Sequence, residues 1–362
     1  MKLPWSSCTR VQIRGLRDSD VTGLRREGEF DVTGERRVTA MDVARGAGVS
    51  RSAVSRAFTP GSPLDAAKRS RILAVAQELG YRPNVLAAGL QGKGRSNLVA
   101  VVVGRLHNHF DSDFQAILME GLARRGKWPL VVAGDPEMIE ADILNVLGFP
   151  LDALIVRGGS VSAPVVDYCA KLGIPLVVSG RVMAAPRVDC VCGDNAGGAH
   201  LAVAALQARG RRRIAYLGGP PQLFSDQERR AGFQAAMAGA GLVPVAEDSA
   251  DYSFEGGQAA ALRLLARAPG LDGLFCGNDA MALGAIAALR DQGRRVPQDI
   301  SVIGFDDISI APWPGIDLST LRNDAAATVA ELLRLLETRL EDPSGPARVV
   351  RIPTRFIARN TH

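Results

Sequence analysis

From Leu98 to the C-terminus, short uninterrupted apolar runs alternate with segments of helical period. LVAVVVG, PLVVAG, ALIVRGG and PLVVSG come first, and IAYLGG, GLFCGND and ISVIGFDD follow after Asp194. A strand with no polar interruption must be buried on both faces, which is the environment of a parallel sheet covered by helices. Between the runs, DFQAILMEGLARRG sets Phe114, Ile117, Leu118, Gly121 and Leu122 on one helical face. Each run closes on Gly, Asp or Asn, in the loops where an open α/β sheet takes its ligands. Two successive sets predict two similar α/β lobes with a cleft between them. The first covers about 98–193 plus part of 323–347, the second about 194–322 plus a C-terminal strand.

The chain ahead of these lobes has a different rhythm. Residues 1–37 show no sustained apolar period and read as a disordered extension or an over-long start. From Val38, VTAMDVARGAGVS offers Thr39 as an N-cap, puts Met41, Val43, Ala44 and Ala47 on one face and closes on Gly48. Ser50 can cap a second short helix, RSAVSRAF, with Val54 and Phe58 at i, i+4. Asp65 can cap a third, AAKRSRILAVAQELG, with Ile72, Leu73, Ala76 and Leu79 as its stripe. Two short helices joined by a tight turn and braced by a third predict an all-α helix-turn-helix head over 38–83. A hinge and linker over 84–97 then lead into the α/β body, 98–362.

Charge locates the partner. Residues 36–97 hold eleven Lys/Arg against three Asp/Glu, a net +8, while residues 1–35 are balanced and 98–362 net −3, within a total of +5. A small basic module on a neutral-to-acidic body is the footprint of a nucleic-acid binder. The outward residues of the second helix, Arg51, Ser52 and Arg56, are free to enter a major groove, where arginine can grip guanine bidentately and serine can donate or accept. Thr39, Ser50, Ser55 and Tyr81 suit phosphate contact or capping, which positions without specifying. Asn84 can cap a turn or two over Val85–Leu90, a helix too short to stand alone in water.

The ordered motifs DVA-x-x-AGVS-x-x-x-VSR and GYRPN, followed by DNAGGAHLA, ERRAGF, GNDAMALGAI and DISVIGFDD, resemble the LacI/GalR family of bacterial transcription regulators. The resemblance runs from about Val38 to the C-terminus. It implies that Arg51 and Ser52 are specificity positions and that Arg56 matches an arginine common in the family. It also implies that Leu90 is a minor-groove wedge of a paired hinge helix, with Gly89 standing where a longer or polar residue is usual. In the cleft it implies Arg229 for effector hydroxyls or carboxylates, Tyr252 as a stacking aromatic, and Asn278 and Asp306 after two second-lobe strands. The loop GRLHNHFD adds His107 and Phe110 as candidates. The acid frequent in the family after PLVV is replaced by Gly180 and followed by Arg181, a departure that leans toward an anionic or phosphorylated effector.

The implied function is a cytoplasmic regulator, a homodimeric repressor on a palindromic double-stranded operator, with a small polar effector such as a sugar or a sugar-derived acid or phosphate. Two other readings stay open. One is a DNA binder with a ligand-blind body under a protein partner, and the other is a periplasmic binding protein, against which the basic head and the absence of a signal-like start argue. No G-x-S-x-G, G-x-x-x-x-G-K-[ST] or H-E-x-x-H occurs and the four histidines form no acid–base pair, so no enzymatic activity, cofactor or metal is expected. No run of about 18 apolar residues predicts a membrane span. Five scattered cysteines form no C-x-x-C pair, and Cys190 and Cys192, flanking one valine, read as buried thiols on one strand face.

Overall fold

The computed structural model describes residues 37–59, 61–84, 95–104, 109–133, 139–158 and 161–362. The segment 1–36, Leu90 with its neighbours and His107 lie outside the described residues. The chain forms two compact units that part between Pro83 and Asn84.

In the first unit α1 (Ala40–Gly46), α2 (Arg51–Phe58) and α3 (Ala66–Glu78) close on a core of small side chains around Val43, Val54 and Ile72. Small residues let short helices approach closely. A Cβ on Gly46 would stand 2.9 Å from Val75 Cγ1. Ser50 accepts from the Ala53 amide to cap α2, and Asp65 accepts from the Lys68 amide to cap α3. Two expectations need correction. Met41 is 52% exposed, and in α3 only Ile72 and Ala76 are buried, Leu73 and Leu79 being exposed. Leu73 sits about 100° round the helix from Ile72, so the half-buried Val75 completes the stripe at i+3 instead.

The second unit holds two six-stranded sheets. The first contains β1 (Leu98–Val103), β2 (Trp128–Ala133), β3 (Ala153–Arg157), β4 (Leu176–Ser179), β5 (Val188–Gly193) and β11 (Val349–Ile352), in the order β11-β5-β4-β3-β1-β2. All its pairings are parallel, with β1 next to β3 in register Val99↔Ala153. Helices α4 (His109–Arg124), α5 (Ile139–Val146), α6 (Ala163–Leu172) and α11 (Ala325–Glu341) belong to this lobe. The second sheet orders β12-β10-β9-β8-β6-β7, from β6 (Ile214–Gly218), β7 (Glu247–Ser249), β8 (Gly273–Cys276), β9 (Ser301–Asp306), β10 (Thr320–Arg322) and β12 (Arg355–Ile357). It carries α7 (Asn195–Ala208), α8 (Phe224–Gly239), α9 (Phe254–Arg267) and α10 (Asp279–Asp291). Only β12 runs antiparallel there. The chain passes between the sheets at 193–195, 322–325 and 352–355.

The apolar runs behave as read except PLVVAG. Its described residues, 129–133, belong to β2 at one edge of the first sheet, and none of them is buried, because an edge strand has a neighbour on one side alone. Cys190 and Cys192 are fully buried in β5, and burial pushes the Cys192 thiol up to about 11. Among the described residues no helix is long and apolar enough to cross a membrane, and no group of three His, Cys, Asp or Glu is placed to hold a metal.

The first lobe contains a buried ion pair that its apolar strands do not announce. Arg339 on α11 meets both carboxylate oxygens of Asp189 at 2.8 and 2.9 Å and donates to the Gly345 and Pro346 carbonyls, while the Arg348 amide donates to Asp189. Both side chains are essentially inaccessible. Removing one partner strands the other charge, so Arg339→Ala should cost about 3–5 kcal/mol in a chemical-denaturation measurement.

Candidate DNA-reading helix and interlobe site

Helix α2 divides its residues cleanly. Ala53, Val54 and Ala57 are buried, whereas Arg51, Ser52, Ser55 and Arg56, at i, i+1, i+4 and i+5, share the exposed face. Two arginines and two hydroxyls are thus presented together with no apolar residue between them. The Ser52 hydroxyl lies 2.9 Å from that of Ser50, which orients both at the first turn. The Thr39 hydroxyl donates to Asp42 at 2.7 Å, so Thr39 and Ser50 are engaged in capping. Tyr81 packs edge-on against Phe58, with ring centroids 5.8 Å apart, and Asn84 is exposed. Sequence reasoning missed Arg69. It donates to the Ala57 and Ser62 carbonyls at 2.6 and 2.7 Å, satisfying the end of α2, so its charge is structural as well as part of the basic footprint.

In the second unit the site is built where strands end. Arg229 on α8 is buried: its Nε donates to Asn195 Oδ1 at 2.9 Å, its Nη1 donates to the Gly277 carbonyl, and its Cζ lies 3.7 Å over the Phe305 ring. Its Nη2 is 3.7 Å from Asp306 Oδ1, an ion pair too long for a hydrogen bond, which leaves both groups capacity for a bound hydroxyl. Asp306 ends β9 at φ 114°, in the left-handed region, and accepts from Asn323 Nδ2 at 3.1 Å. Burial pushes its carboxyl up to about 6, against the opposing pull of Arg229 and Asn323. Tyr252, also left-handed at φ 66°, lays its ring in the space that a Cβ on Gly219 would fill. Asn278 caps α10 through the Met281 amide and donates to the Tyr252 carbonyl at 3.0 Å, so both ends of its amide are engaged in holding α10 and Tyr252.

The first lobe answers with Arg157, a residue sequence reasoning passed over. The signal was a lone arginine closing the apolar run ALIVR. Its guanidinium lies 4.2 Å over Phe114 and 5.2 Å over Phe110, and its Nη2 meets Asp111 at 3.2 Å. Both Arg157 and Asp111 lie close enough to act on the Asp306 carboxyl. Phe110 and Asp306 line one cavity of about 310 Å³ together with Asn323 and Arg322. Gly180 also acquires a reason. It has φ 88°, and a Cβ there would stand 2.8 Å from an Arg157 guanidinium nitrogen. Arg181 follows it at the end of β4, half-buried, near enough to Cys190 to pull its thiol down against burial. The structure thus gathers Phe110, Arg229, Tyr252 and Asp306 with Arg157, Asp111, Asn195 and Asn323.

A body of two parallel-sheet lobes, joined by three crossings and lined by polar strand ends, together with a helix-turn-helix head, defines a class of ligand-responsive regulators. Residues 39–84 match the family described as bacterial regulatory proteins, lacI family, and residues 203–362 match the periplasmic binding protein-like domain. The chain is 32% identical over 331 residues to the HTH-type transcriptional regulator CelR of Thermobifida fusca, covering 88% of this chain and 96% of that one. It is 28% identical over 330 residues to catabolite control protein A of Priestia megaterium, covering 89% and 98%. Among solved structures it resembles the lac repressor dimer bound to operator and the anti-inducer ONPF, with a TM-score of 0.80 at 27% identity over 90% of this chain and 99% of that one. It also resembles the CelR–cellobiose complex, with a TM-score of 0.69 at 28% identity over 90% and 100%. The chain belongs to the lacI family of bacterial transcriptional regulators, and these relatives are regulators rather than enzymes.

Two outcomes follow from this geometry. Gly219→Ala should displace the Tyr252 ring and weaken ligand binding in the cleft, read by calorimetry, with little change in the far-ultraviolet dichroism. For Asp306, the folded protein holds its proton more tightly than the unfolded chain does, so this group's stabilising contribution is present at low pH and is lost as pH rises through about 6. Asp306→Asn removes that loss. The melting temperature of the variant minus that of the parent should therefore increase from pH 5 to pH 7.5, and a flat difference would contradict the assignment.

Proposed function

We propose that this protein is an effector-responsive DNA-binding repressor of the cytoplasm, acting as a homodimer on a palindromic double-stranded operator. Arg51, Ser52 and Arg56 read base edges, Ser55, Tyr81 and Asn84 set the head on the phosphates with Thr39 and Ser50 fixing the helix starts, and Leu90 serves as the minor-groove wedge. Dimerisation is supported by apolar surface on the first lobe, where the β2 edge and the neighbouring α5 segment leave Trp128, Val131, Leu144 and Phe149 exposed. One three-helix head reads a few base pairs, and two-fold pairing supplies the second half-site.

The effector occupies the site of Phe110, Arg229, Tyr252 and Asp306, and the sequence adds Arg181 and His107 as further candidate contacts. The observation that carries its class is charge matching: Arg229 faces Asp306 and Arg157 faces Asp111. Each cation is already balanced, so the site favours a neutral polyhydroxylated ligand, held by bidentate hydroxyl contacts and an aromatic plate, over a phosphorylated one. The sugar named in the CelR complex, cellobiose, is the first candidate to try.

The test has two arms. On a randomised operator library, Arg51→Ala and Ser52→Ala should change the preferred sequence, each lost base contact costing about 1–3 kcal/mol, whereas Lys68→Ala should weaken all sequences alike. A thermal-shift panel of neutral mono- and disaccharides, sugar phosphates and uronic acids should give its response among the neutral sugars. A body that responds to no small molecule would favour control by a protein partner instead.

A further inference from the structure

We infer that Glu228 and Arg351 form a clasp between the lobes that also positions Arg229 for its ligand, an inference that rests on the effector reading above. Arg351 belongs to β11, in the first sheet, and Glu228 to α8, in the second lobe. They meet as a bidentate pair, Nη2 to Oε1 at 2.6 Å and Nη1 to Oε2 at 2.9 Å, so one planar fork fixes both distance and angle between the elements. Glu228 is half-buried, with its side chain at 19%, while Arg351 at 42% reaches it from the solvent side.

The clasp continues into the site. Glu228 Oε2 also accepts from Asn195 Nδ2 at 3.2 Å, and the other end of that amide, Oδ1, accepts from Arg229 Nε at 2.9 Å. Asn195 stands on the first crossing between the lobes. Asn323, on the second crossing, donates to Asp306, and a Cβ on Gly193 would meet its Oδ1 at 2.7 Å. Hydrogen-bond polarity makes the chain directional. The Asn195 amide can accept from Arg229 only while its nitrogen faces acceptors, and these are Glu228 Oε2 at 3.2 Å and, more weakly, the Gly193 carbonyl at 3.4 Å. Glu228 and Arg351 touch no ligand and are positioning residues. Loss of the clasp loosens the lobes and leaves the Asn195 amide held on its nitrogen side by the long Gly193 contact alone.

The full-length protein tests this with no effector present. Spin labels are placed at Tyr168→Cys on the first lobe and Val243→Cys on the second, both exposed sites, in a Cys8→Ser background, and the interlobe distance distribution is read by double electron–electron resonance. Glu228→Leu and Arg351→Leu should each broaden the distribution, and the charge-swapped double variant E228R/R351E should restore it. Distributions identical to the parent in both single variants overturn the clasp. Calorimetry with cellobiose adds the positioning readout. Glu228→Leu, which removes the acceptor, should lose about tenfold in affinity, equivalent to about 1.4 kcal/mol. The swapped variant should stay weak, because an arginine at position 228 cannot accept from Asn195. Parent-like cellobiose affinity in the swapped variant would overturn the positioning role. A parent that binds no cellobiose would count against the effector reading alone, and the distance measurement would still decide the clasp.

Discussion

The interlobe site is organised around one buried cation. Arg229 brings a permanent charge into a nearly dry site, and each of its nitrogens must find compensation there, since an unpaired buried guanidinium would cost several kcal/mol. The compensation comes from separate stretches of chain: Asn195 at a crossing, the Gly277 carbonyl after β8, Phe305 and Asp306 at the end of β9. Strand ends and a lobe crossing are thereby tied to a single planar group. This ties the shape of the site to the relative placement of the lobes.

Backbone strain marks the same region. Tyr252, Asp306 and Asp307 are non-glycine residues in the left-handed region. Each such conformation costs about 1–3 kcal/mol and persists where the surroundings over-determine it. Here the surroundings are Asn278 bracing the Tyr252 carbonyl, Asn323 on Asp306, and Arg322 and Arg359 on Asp307. Beneath them Asp279 is fully buried, accepting from Thr320 and the Ile308 amide, and burial raises its carboxyl well above the ordinary range. The polar layer under the site is satisfied by its own hydrogen bonds, as pre-organised recognition requires.

The head works by a simpler division. With Ala53, Val54 and Ala57 committed to a small core, helical geometry leaves Arg51, Ser52, Ser55 and Arg56 on the opposite side. Substitutions on that face carry little cost in stability, because none of these residues is packed. Arg69 shows the limit of counting charge alone: it contributes to the field that attracts DNA, yet its guanidinium closes the end of α2.

The helices of the head and the parallel strands of the body were legible in the sequence because both depend on local period. Short apolar runs bounded by turn residues point to strands of a covered sheet, and a cap followed by an i, i+4 stripe points to a helix. The bounds of α2 came out residue for residue, Arg51–Phe58. Asp306, Arg229 and Tyr252 were legible through the motifs around them. Tertiary structure alone decided what depends on distant parts of the chain. It made β2 an exposed edge despite its apolar composition, and turned Leu73 outward while Val75 packed. It also paired Asp189 with Arg339, 150 residues away, and brought Arg157, Asn195 and Asn323 to one site. Local pattern specifies which residues want burial. Which neighbour covers a strand, and which carboxylate meets a given arginine, is settled by long-range packing, where no single stretch of sequence carries the information.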